Sequence, residues 1–175
     1  MSYVVWDLEA VRDPRVQWAK KIRPLDAALA LNLCVPREAL AAEGLPSAPC
    51  WRIVTMVMLA LDDAYVPRKL ARFIARDDAQ ETNLLRVFGG VVAPGDTLVD
   101  YNGRGFDMPL IEARLMHHAM PMPALFNRSL QDRYRGDRHI DLQDRLSNFG
   151  AGQFGGLDQW LQLIGMRGKG ETKGS

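Results

Sequence analysis

The run Tyr3-Val4-Val5-Trp6-Asp7-Leu8-Glu9 constrains this chain more than any other stretch, because it sets apolar residues against two acids two positions apart. Side chains along a β-strand alternate between faces, so Asp7 and Glu9 share one face. Residues 3–8 are expected as a first strand, with Tyr3, Val5 and the apolar residues around them committed to a core. Two carboxylates on one face of such a strand must be neutralised by cations or left in water. A divalent metal ion held between them is the economical solution, and a strand edge facing water is the plainer one.

A second run, Leu98-Val99-Asp100-Tyr101-Asn102-Gly103-Arg104-Gly105-Phe106-Asp107, has the same texture. Thr97 to Tyr101 is β-prone and Asn102-Gly103 signals a turn. Asp107 stands where a helix begins, and Pro109 takes an early helical position where its missing N–H costs nothing. A third carboxylate is thereby expected at the end of a second strand. Read alone, this motif is equally a turn leading into a helix whose first-turn Asp is stabilised by the helix dipole.

Between and after these runs the pattern alternates. Residues 12–49 are polar and Ala/Leu-rich, punctuated by Pro14, Pro24, Pro36, Pro46 and Pro49, with short helices expected over 25–33 and 37–43. Trp51 to Leu61 reads as a long strand because Ile53, Val54, Thr55 and Val57 are β-branched, and Leu70 to Ala75 as its hairpin partner. Helices are expected over 77–92 and 109–119, around Leu142, Leu146 and Phe149, and over 157–164 with Gly165 as a C-cap. Strands first, then helices around a late strand, predict an α/β fold with a mixed β-sheet flanked by helices.

Composition narrows the functional classes. At 175 residues the chain suits one domain that buries roughly two thirds of its unfolded surface. Its net charge of +1 gives no global drive toward nucleic acid, so any such binding rests on local patches. Cys34 and Cys50 belong to no metal-binding pair, which argues against structural zinc. Neither a secretory leader nor a run of about 20 apolar residues is present, so no membrane association and a cytoplasmic location are expected.

The order of these segments resembles the DEDD superfamily of 3′–5′ exonucleases, most closely the predicted exonucleases related to the proofreading domain of family-B DNA polymerases. The Asp-x-Glu first motif of that group matches Asp7-Leu8-Glu9, and its Asn-Gly-x-x-Phe-Asp second motif matches Asn102-Gly103-Arg104-Gly105-Phe106-Asp107. The likeness continues through His139-Ile140-Asp141-Leu142 and the helix from Gly156 to Gly165. It implies a ribonuclease H-like domain over residues 1–166 and hydrolysis of single-stranded DNA or RNA from the 3′ end with two Mg²⁺ or Mn²⁺ ions. On this resemblance Asp7 bridges both ions, Glu9 holds the nucleophile-side ion and Asp107 the leaving-group ion, their oxygens lying within about 8 Å of one another. Asn102 and Phe106 would contact the 3′-terminal nucleotide, with backbone at Leu8 and Ala10 near its sugar.

The superfamily also carries a third motif, Tyr-x-x-x-Asp or His-x-x-x-x-Asp, on a later helix, and none occurs before Ser175. The domain is therefore expected to be C-terminally incomplete, residues 167–175 to form a flexible tail, and activity to be impaired. A catalytically incomplete nucleic-acid-binding module of the same fold is the alternative. His139 and Asp144 have the spacing of the third motif but precede the 157–164 helix, so His139 reads as a strand-end residue and Asp141 as a helix N-cap. His117 and His118, adjacent and so on different helix faces, read as an exposed helix end. Arg128, Arg133, Arg135 and Arg138 around Tyr134 could follow a phosphate backbone with a base on the ring, although nearby Asp residues favour a solvated loop. Lys169, matching a Gly-Lys pair in the related proteins, could meet a phosphate.

Overall fold

Five strands form one mixed sheet in the computed structural model, which describes residues 2–15, 50–92, 95–134, 137–152 and 155–168. The strands are β1 (Tyr3–Arg12), β2 (Trp51–Leu61), β3 (Pro67–Ile74), β4 (Thr97–Asp100) and β5 (His139–Asp141). They lie in the order β3-β2-β1-β4-β5. The first three pair antiparallel, whereas β1 with β4 and β4 with β5 pair parallel. Helix α1 (Asp78–Val92) connects β3 to β4, and α2 (Asp107–His117), a 3₁₀ turn (Pro123–Phe126) and α3 (Arg128–Gln131) lead from β4 to β5. After β5 come α4 (Leu142–Leu146) and α5 (Leu157–Leu163). This is the mixed sheet with flanking helices that the alternation of patterns predicts. The helices expected over 25–33 and 37–43, together with Cys34, Arg135 and Lys169, lie outside the described residues.

The first strand runs four residues past its expected end at Leu8. Its partner β2 is eleven residues long and still supplies Trp51 opposite Arg12. Between Glu9 and Ala10 the register shifts: Glu9 faces Thr55 and Ala10 faces Ile53, which leaves Val54 as an extra residue on β2. A bulge of this kind bends the ladder and re-aims neighbouring side chains.

Strand alternation also corrects one expectation about the core. Val4, Trp6 and Leu8 are buried, with the Trp6 ring 5.0 Å from Phe88 of α1. Tyr3 and Val5 instead share the face of the carboxylates and are half-buried. A period of two admits no other outcome, since the face that carries Asp7 and Glu9 must also carry positions 3 and 5. Helix α1 starts where Asp77 Oδ1 accepts from Gln80 N at 2.9 Å, and it buries Leu84, Leu85, Phe88 and Val92.

Beneath α2 lies an ionic network that the sequence pattern does not announce. Arg114 is 1% exposed and donates to Asp13 at 2.9 Å and to both oxygens of Glu81 at 2.9 and 2.7 Å. Glu81 also accepts from Ile53 N at 2.7 Å and pairs with His118 Nε2 at 2.9 Å. His118 is therefore no exposed helix end but a pin between α2 and α1, and only its neighbour His117 faces solvent. The His117 pKa is lowered from its usual value by partial desolvation on the helix surface and then by the nearby Arg114.

Candidate active site

Asp7 and Glu9 stand exposed on one face of β1, as their spacing requires. In the parallel register of β1 with β4, Tyr3 pairs with Thr97 and Val5 with Val99, so Asp7 falls level with Tyr101 just past the end of β4. Asp7 opens into a cavity of about 470 Å³ whose walls include Val5, Tyr101, Leu142, Leu157 and Asp158. Burial raises the Tyr101 hydroxyl pKa, which keeps it a donor, and it donates to Gly155 O. The cavity thus sits at the carboxyl end of β4, beside the middle of the longer parallel strand β1, and strand carboxyl ends are where open α/β sheets bind their ligands.

The second motif is shaped by contacts from β5. Asn102 adopts φ +65°, a left-handed conformation that Asn tolerates, and Gly103 N donates to Asp100 Oδ1 at 3.1 Å. Asp141 then receives three backbone donors, Asn102 N at 2.9 Å, Arg104 N at 3.1 Å and Gln143 N at 3.0 Å. It is the N-cap of α4, as expected, and also the clamp on the Asn102–Arg104 turn. The Arg104 guanidinium adds donors to Leu130 O, Gln131 O and His139 O. Phe106 meets Trp51 edge-on with centroids 6.0 Å apart, and Trp51 pairs with Arg12 at the far end of β1. The loop thereby leads from the end of β4 toward the later part of β1. Asp107, 7% exposed, follows as the first residue of α2.

A Cβ on Gly103 would collide with the Asp100 carboxylate. Gly103→Ala is accordingly expected to lower stability by about 1–3 kcal/mol, the usual cost of overpacking, as read by urea denaturation. An unchanged denaturation midpoint would show that the turn can move away from Asp100.

Other candidates resolve into structural roles. His139 is buried with Nε2 2.6 Å from Asp100 Oδ2, and Asp144 is held by Arg133, so neither half of the His-x-x-x-x-Asp spacing faces the cavity occupied by Asp7. Arg138 donates to Val92 O at 2.6 Å. Among the described residues, the group presenting three metal-capable atoms within 4.8 Å of one another is Asp78, His117 and His118, rather than Asp7, Glu9 and Asp107. Asp78 is paired with Arg15 and His118 with Glu81, so that group is already engaged within the fold. The cavity is also lined by Asp100, which stands in the second run with no role expected for it and is engaged by His139, and by Asp158 at the start of α5, which no sequence motif marks.

A five-stranded mixed sheet of this order, flanked by helices, is a ribonuclease H-like fold. Residues 45–175 match the family described as "predicted 3′-5′ exonuclease related to the exonuclease domain of PolB", and the chain belongs to that family. The match includes the second motif but begins after Asp7 and Glu9. No curated protein sequence matches the chain. Among solved structures, the family B DNA polymerase of the hyperthermophilic archaeon Pyrobaculum calidifontis is similar in fold, with a TM-score of 0.53 and 17% identity over 95% of this chain and 18% of the polymerase. Apo exonuclease I gives a TM-score of 0.52 at 9% identity over 86% of this chain and 31% of that protein. E. coli exonuclease I in complex with a dA16 oligonucleotide gives 0.50 at 9% identity, over 86% and 30%. The chain thus spans less than a third of each of these proteins. No helix among the described residues is long and apolar enough to cross a membrane.

Proposed function

We propose that the protein is a metal-dependent 3′–5′ exonuclease acting on single-stranded DNA or RNA ends. The observation that carries this reading is the pair Asp7 and Glu9, exposed together on β1 with Asp7 opening into a cavity beside the turn that leads to Asp107. Oxygen-only donors of this kind suit Mg²⁺ or Mn²⁺. Such ions, when bound, would lower the pKa of a bound water and neutralise charge on the departing 3′ oxygen. Asp7 would hold both, Glu9 the one on the nucleophile side and Asp107 the one on the leaving-group side. Asn102 and Phe106 would bind the 3′-terminal nucleotide, with the backbone of Leu8 and Ala10 along its sugar. Asp141 fixes the turn carrying Asn102 before any strand arrives, so that ordering does not weaken binding. Sequence readout is expected to be weak, because this chemistry needs only a free end and a phosphate.

With Asp7, Glu9 and Asp107 as the carboxylates proposed to hold the ions, turnover is proposed to be slow. The test therefore reads binding as well as cleavage. With Mn²⁺, a 5′-labelled single-stranded oligonucleotide should bind and shorten stepwise from its 3′ end, and Asp107→Asn should stop the shortening. Internal cuts, shortening in chelator, or shortening indifferent to Asp107→Asn would overturn the reading. Binding without cleavage would favour the catalytically incomplete module.

A further inference from the structure

Outside the cavity of Asp7, a pair of aromatic rings is flanked by two guanidinium groups. The rings of Tyr134 and Phe149 lie 5.3 Å apart at 50°. Arg133 sits 5.9 Å above the Tyr134 ring and Arg145 sits 5.2 Å above the Phe149 ring. Tyr134 is 65% exposed, so it is not held there by core packing. Asp132 turns the chain under Tyr134 by accepting from its N–H, and Asp144 takes the charge of Arg133. Arg145 is exposed and has no ion pair among the described residues.

The backbone under Phe149 is unusual. Asn148, Phe149 and Gly150 all have positive φ, at 51°, 56° and 89°. A bulky residue in that region is strained, and it persists only where its surroundings fix it. Here Phe149 N donates to Asp144 O at 2.6 Å, and Gly152 N to Ser147 O at 2.9 Å, closing the turn tightly. These hydrogen bonds hold the turn in which the Phe149 ring lies beside Tyr134. The same helix α4 begins at Leu142, which lines the Asp7 cavity, and Leu146 one turn on is also exposed. Leu142 and Leu146, four residues and about 6 Å apart along α4, share one helix face between the cavity and the turn that carries Phe149.

Exposed aromatic rings stack bases irrespective of sequence, and an unpaired arginine beside them meets phosphate. We infer that Tyr134, Phe149 and Arg145 form a second contact for single-stranded nucleic acid, with a base stacked on Tyr134 and a phosphate at Arg145, outside the cavity of Asp7. This contact rests on the exonuclease reading and extends it to the strand behind the 3′ end. It compensates for a net charge too small to hold a polyanion by itself.

Fluorescence anisotropy of the full chain with labelled oligo-dT or oligo-rU, in chelator, reads this contact apart from the metal site. Tyr134→Ala is expected to weaken binding about tenfold, the loss of one stacked base, while Tyr134→Trp retains it. Arg145→Gln should weaken binding about threefold at low salt and flatten its salt dependence. Equal losses with both oligonucleotides would support the shared chemistry of stacking and phosphate pairing, and a loss confined to one would support the contact and identify its strand. Affinity unchanged by both Tyr134→Ala and Arg145→Gln, in variants that melt at the parent temperature, would overturn the inference. Tyr134-dependent binding without any Asp107-dependent cleavage would leave the contact standing and remove the exonuclease. Asp107-dependent cleavage with binding indifferent to Tyr134 would remove the contact alone.

Discussion

Asp7→Asn is expected to abolish the rise in melting temperature that Mn²⁺ or Mg²⁺ gives the unsubstituted protein, and to reduce any 3′-end digestion by about 100-fold or more. Asp7 and Glu9 share an exposed face of β1, where like charges repel until a cation arrives. A ligand at a hundred times its dissociation constant stabilises by about 2.7 kcal/mol, which in a domain of this size is roughly 5–10 °C. Replacing one carboxylate by an amide removes both the repulsion and the donor. The metal-free variant should therefore melt slightly higher than the parent, and the added ion should do nothing. Differential scanning fluorimetry across a metal titration measures both effects. A shift that survives Asp7→Asn unchanged would move the ion elsewhere, with Asp78, His117 and His118 the first group to substitute.

The largest effect on stability is expected from Arg114→Met, at about 3–5 kcal/mol, because it strips the buried Glu81 of the guanidinium that bonds both its oxygens and takes one of the two guanidinium partners of Asp13. That is a large part of the 5–15 kcal/mol that holds a typical domain folded. The pH dependence gives an independent readout. Burial pushes the Glu81 carboxyl up, but hydrogen bonds from Arg114, His118 and Ile53 N outweigh it and set it below its ordinary value. Asp13 is held well below the usual carboxylate range, first by Arg15, against the opposing effect of burial, and then also by Arg114. Folded pKa values below the unfolded ones contribute stability that is present above about pH 4 and is lost as pH falls through the folded values. In Arg114→Met, a buried Glu81 without its guanidinium is instead expected to titrate above its ordinary value, so protonation relieves it. The stability gap between parent and variant should therefore narrow as pH falls from 7 toward 5 in urea denaturation. A gap that stays constant or widens would mean that solvent enters and solvates the two carboxylates.

The local signals in this chain were strong where a single element decides the outcome. β-branched residues from Ile53 to Val57 made β2 a strand over its full expected length, and the Asn102-Gly103 turn ended β4 before the Asp107 helix. Family resemblance through the second motif was legible for the same reason, since a motif is a short contiguous run. The extension of β1 to Arg12 was not legible, because it depends on how long its partner is rather than on the residues of β1. His118 was misread because adjacency on a helix says nothing about which neighbour packs against it, and Glu81 from α1 supplies that neighbour.

The sequence by itself determined that Asp7 and Glu9 share one face and that Asp107 opens a helix, because periodicity and turn chemistry act within a few residues. Only the tertiary structure decided which charges are buried together. Arg114 reaches Asp13 across 101 positions and Glu81 across 33, and Asp141 holds Asn102 and Arg104 across 39 and 37. No local pattern encodes such pairs. Each isolated charge prefers water, and burial becomes favourable only once the sheet and helices bring its partner within hydrogen-bond distance.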